Sequence, residues 1–112
     1  MNTMRARETE NFPLEVLWLD ELGRPLEVGG VTYEVFYYTG GERTPVVEQA
    51  PMAATDESFR FMILFSVPEG SAGMTLFCTF RATLASDDTS LISQVVLQIE
   101  KPISVQKMGV SF

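Results

Sequence analysis

The stretch VTYEVFYY, residues 31–38, decides the reading of this chain. It is made of β-branched and aromatic residues, which suit a pleated, half-buried surface. Side chains alternate across a strand. Val31, Tyr33, Val35 and Tyr37 therefore share one face, and Thr32, Glu34, Phe36 and Tyr38 the other. Gly40-Gly41 follows in TGGE and tolerates the positive φ of a two-residue hairpin turn. Arg43–Gln49 is then the returning strand. Pro45 within it has no N–H to give to a ladder, so this strand belongs at a sheet edge.

The same alternation continues on both sides. Upstream, Leu14, Val16 and Trp18 alternate with Glu15, Leu17 and Leu19, up to Asp20-Glu21. ELGRP is a turn in which Gly23 supplies φ > 0, Pro25 stiffens the exit and Asp20 caps its own backbone amides. Downstream, SFRFMILFSV, MTLFCTFRATL and LISQVVLQIE read as further strands, separated by APMAATDE, PEGSAG and ASDDTS. One more short strand is expected after Pro102. Six to seven strands with regular turns predict an all-β fold: a sandwich of two antiparallel sheets, with a small barrel as the alternative. Residues 1–12 are polar and read as a flexible arm, and residues 13–112 as a single sandwich domain.

Composition narrows the function classes. The chain has 112 residues, 46% of them hydrophobic, with 15 acids against 8 bases and a formal charge of −7. Nucleic acid and anionic membrane surfaces need a positive partner, so neither is expected. The apolar runs fall short of the roughly 20 residues of a membrane helix. Residues 1–12 have no apolar stretch of the kind a secretory signal peptide carries. The chain has no His and one Cys, which removes an internal disulfide, the commonest metal ligand and the commonest general base. This usage suits a reducing compartment. Cys78 shares a strand face with Leu76 and Phe80 and reads as a core thiol.

The carboxylates Glu15, Asp20, Glu21, Asp56, Glu57, Asp87 and Asp88 stand in loops or at strand ends rather than in a cleft, which argues against acid–base catalysis. No enzyme activity and no cofactor are expected. The acidic pairs 20–21, 56–57 and 87–88 leave a weak calcium site open if the fold gathers their loops.

The second faces of the strands carry the informative signal. An isolated sandwich shows polar residues there, yet Leu17, Leu19, Phe36, Tyr38, Met62, Leu64 and Phe77 are apolar. They are expected to be covered by another subunit or partner, with cover by the chain's own tails and loops, or a ligand groove, as the alternatives. Phe12 and Leu14 are added as anchors of the arm. A sugar platform built from Trp18 and Tyr33 with Phe36, Tyr37 and Tyr38 is the competing reading.

LWLDELGRPLEVGGVTYEVFYY, Leu17 to Tyr38, resembles the start of small immunoglobulin-like β-sandwich modules in tailed-bacteriophage virion proteins, such as the N-terminal module of baseplate proteins. Asp20, Gly23, Pro25 and Leu26 match their DxxGxPL turn, and Gly29-Gly30 leads into the long strand. Phe59, Phe61 and Pro68–Gly70 fit the later strand and turn. The resemblance covers residues 14–100. It implies an immunoglobulin-like sandwich without catalytic residues. Such a part acts as a homo-oligomer with other virion proteins, assembled in the host cytoplasm as a decoration, adaptor or baseplate component. The alternative is a carbohydrate- or calcium-dependent binding module of a bacterial surface or secreted assembly.

Overall fold

The structure, a computed structural model, describes residues 2–101. Its longest strand grows from the VTYEVFYY stretch: β3, Val28–Thr39. The Gly40-Gly41 turn, with φ of 58° and 85°, sends the chain back along β3 as β4, Glu42–Pro51. Two positive φ values match the right-handed twist of the flanking strands. On its other side β3 pairs antiparallel with β7, Thr75–Leu84, which pairs with β8, Ser90–Glu100. β1, Asn2–Arg7, completes a five-stranded sheet in the order β1-β8-β7-β3-β4. The second sheet has three strands, ordered β2 (Asn11–Leu17), β6 (Arg60–Ser66) and β5 (Ala53–Ala54). This is the strand arrangement of an immunoglobulin-type sandwich, with a hairpin strand extending the sheet that contains β8, β7 and β3. β4 is an edge strand, as Pro45 requires.

Three expectations are corrected. Residues 1–12 are not a flexible arm: Asn2–Arg7 form β1 and Asn11 already opens β2, so the sandwich does not begin at residue 13. Met4 and Ala6 turn inward while Thr3, Arg5 and Arg7 turn outward. The alternation is present, but its inward side chains are too few to stand out among charges. The sandwich is also not wholly antiparallel, because β1 runs parallel to β8. Eight strands form among the described residues, because β1 and the two-residue β5 were hidden in polar and loop-like sequence. A strand after Pro102 lies outside the described residues.

The core joins both sheets. Leu14, Val35, Leu76, Cys78 and Leu97 are fully buried, and Phe80 nearly so. In many such sandwiches a disulfide links the second and sixth strands of the immunoglobulin pattern, across the core. Here Cys78 is free and buried on β7, and β2 offers Leu14 and Val16. Cohesion therefore comes from packing. Trp18, just past β2, is buried as expected, although its indole Nε1 finds no partner among the described residues.

Candidate interaction surface

The outer face of the five-stranded sheet is set by the register. Phe36 lies opposite Phe77 on β7 and Pro45 on β4, and Tyr38 opposite Arg43. The Phe36 and Phe77 rings stack at 5.7 Å with 20° between planes. Tyr38 meets both edge-on, at 5.7 Å and 5.5 Å. The Arg43 guanidinium lies over Phe36, 3.9 Å from the ring centroid, a favourable cation–π arrangement. Glu34 sits between two arginines. It pairs with Arg43 and with Arg81, whose Nη2 is 2.9 Å from Glu34 Oε1. The carboxylate fixes the arginine that stacks on the ring, so the cluster is ordered before any partner arrives.

The predicted contact residues divide into three groups. Phe36 is only 5% exposed: it is the floor of the cluster, not its surface. Tyr38, 57% exposed, and the half-buried Phe77 form the platform above it. On the outer side of the smaller sheet, Leu64 is exposed and opposes Pro13, Leu17 is exposed, and Met62 is half-buried. That patch is interrupted by Arg60, whose Nη2 lies 2.7 Å from Glu15 Oε2. Leu14 is not on any surface. It is fully buried opposite Ile63, because β2 starts at Asn11 and carries it inward. Phe12 is partly buried against the same core. Leu19 is exposed beside the β2–β3 loop.

That loop holds the residue the sequence did not single out. Asp20 Oδ1 accepts hydrogen bonds from the Leu22 and Arg24 N–H groups, each at 2.9 Å, and Oδ2 takes Arg24 Nε at 2.9 Å. The Arg24 N–H, helped by its side chain and by the Leu22 N–H, holds Asp20 below the usual carboxylate range. Gly23 completes the turn with φ +77°. The tip is Leu22, 76% exposed. An isolated Leu between Glu21 and Gly23 carries no period, so only the folded turn reveals it.

The β2–β3, β5–β6 and β7–β8 loops gather at one end of the sandwich: Ala85 N–H bonds to Glu27 O, and Trp18 N–H to Phe59 O. All three acidic pairs therefore reach the same end. They do not converge, and no group of three or more Asp, Glu or Cys stands ready for a metal among the described residues. Asp20 is engaged by Arg24 and Asp87 by Thr89. The aromatic platform lies toward the opposite end of β3, next to Gly40-Gly41, and so is not beside Asp20 or Asp56. Tyr33, proposed for a sugar platform, faces the core, as does Trp18.

Burial pushes the Cys78 thiol up to about 12 from an ordinary value of 9.0. The unfolded chain then releases its thiol proton before the folded one does. Stability is unaffected below pH 9 and falls as pH rises toward 12. Burial shifts Tyr33 in the same direction. An excess of a thiol reagent at pH 8 is expected to leave the native chain unlabelled and to label it fully in denaturant. Rapid native labelling would contradict the burial.

No protein-family model and no curated protein matches the chain. Among solved structures, a chain of "Crystal structure of the Titin M10-Obscurin like 1 Ig complex in space group P1" is similar over 92% of this chain and 90% of that one. The identity is 14% and the TM-score 0.48. At that similarity the comparison adds nothing to the fold read from the strand order.

Proposed function

We propose that this chain is a structural part of a tailed-bacteriophage virion, assembled in the host cytoplasm, which acts by binding copies of itself and neighbouring virion proteins. The supporting observation is the ordered Phe36–Phe77–Tyr38 cluster on the outer sheet face, with Tyr38 more than half exposed. Aromatic anchors flanked by arginine are what protein interfaces concentrate at their centres. The virion assignment draws on the DxxGxPL resemblance, and Asp20, Gly23 and Pro25 do build a fixed turn. A sugar- or calcium-dependent role is less well supported, because the exposed aromatics and the acidic pairs stand at different ends.

The test is absolute mass in solution by light scattering after size exclusion. The full chain is expected as a discrete oligomer. Tyr38→Asp is expected to be smaller while still folded at the assay temperature, with a lowered melting temperature, since it loses two edge-on ring contacts worth about 0.5–1.5 kcal/mol each. A wild-type monomer at every concentration would overturn self-assembly. Recovery of this chain's peptides from purified particles tests the virion assignment separately.

A further inference from the structure

The geometry points to a head-to-face contact between copies of this chain: the Leu22 turn of one copy seats on the Tyr38–Phe77 platform of the next. The inference rests on reading that face as a contact surface, and it identifies what meets it. Leu22, at 76%, is more exposed than any other large hydrophobic among the described residues. Its turn is fixed by Asp20 and Arg24, so little conformational freedom is lost on docking. An apolar side chain on a rigid turn and an aromatic platform on a rigid sheet are alike in polarity, and each is exposed in the single copy.

Charge selects this pairing over the alternatives. The loop end that carries Leu22 holds seven acids, against Arg24 and Arg60. The platform is bordered by Arg43 and Arg81, which share Glu34, and the same sheet face carries Arg7 and Arg5, the latter paired with Glu100, so the arginines there outnumber these two acids. Two heads facing each other would oppose acid to acid. Two faces would gain no new opposite charge, because Glu34 and Glu100 are already paired within each copy. Head to face matches opposite signs, and like-charge juxtaposition is what suppresses wrong partners. The two surfaces lie on different parts of the molecule, so the contact is heterologous. Each copy offers one head and one face, an open chain ends in one free head and one free face, and the product is a ring or a filament.

The experiment uses two full-length variants, Leu22→Asp and Tyr38→Asp, each altered at an exposed side chain, with melting temperature as the folding control. Each variant alone is expected to be monomeric under conditions in which the wild type assembles. Mixed one to one, they are expected to form a heterodimer of twice the monomer mass, because the intact face of one meets the intact head of the other. Raising salt from roughly 50 to 500 mM is expected to weaken the wild-type assembly, as screening shortens the reach of the charges. If Leu22→Asp assembles like the wild type while Tyr38→Asp is monomeric, this inference is overturned and the face remains a contact surface. If the wild type is monomeric throughout, or if Tyr38→Asp assembles unchanged, both readings are overturned.

Discussion

Leu14→Ala is expected to lower the unfolding free energy by about 2–5 kcal/mol, the range for truncating a fully buried Leu. Leu14 has no exposed surface and lies on β2, an edge strand of the smaller sheet, opposite Ile63 on the central strand β6. The cost combines lost transfer energy with the cavity left behind between the two sheets. With no disulfide behind the core, nothing else compensates. For a domain near this size the melting temperature is expected to fall by at least about 8 °C. Thermal unfolding followed by circular dichroism measures it. A loss of oligomer mass with no change in melting temperature would return Leu14 to the surface and contradict the register of β2 with β6.

Removing residues 2–7 is expected to destabilise the protein by several kcal/mol rather than to trim a loose end. β1 pairs with β8 along its six residues, and each backbone hydrogen bond nets about 0.5–1.5 kcal/mol. Ala6 is 2% exposed, and Met4 packs against the core. The turn after β1 is tied down as well: Glu8 N–H bonds to Glu100 O, and Thr9 N–H to Val67 O. The deletion also leaves the β8 edge unpaired, which invites edge-to-edge association. The shortened chain is therefore expected to melt earlier and to aggregate on heating. Unfolding in urea, with wild type alongside, gives the difference directly. An unchanged midpoint would restore the view of residues 1–12 as an arm.

These two results bear on where the sequence was legible. β3, β6, β7 and β8 are legible because apolar side chains recur at period two: Val31, Tyr33, Val35 and Tyr37; Phe61, Ile63 and Phe65; Leu76, Cys78 and Phe80; Val95, Leu97 and Ile99. The DELGRP turn was legible for a local reason: Asp, Gly and Pro each have a restricted role in tight turns. β1 was missed because its inward residues are only Met4 and Ala6. Leu14 shares a strand face with Val16 and Trp18, and alternation puts it in the core with them; only its nearness to the polar residues 1–12 points to a contact role. Phe36 was rightly assigned to the second face, but its exposure depends on Tyr38, Phe77 and Arg43, which come from three strands.

The sequence by itself determined the strands other than β1 and β5, the turns between them, the absence of an internal disulfide and the excess of negative charge. These follow from interactions within a few residues or from composition, where alternation and φ preference act without knowledge of the rest of the chain. The tertiary structure alone decided that β1 closes the larger sheet in parallel with β8. It gathered the three acidic loops at one end, stacked Phe36 on Phe77, and left Leu22 as the exposed tip of a fixed turn. Each of these depends on which strands are neighbours. That choice is made by burying both sheets against one core, a cooperative outcome that no single segment encodes.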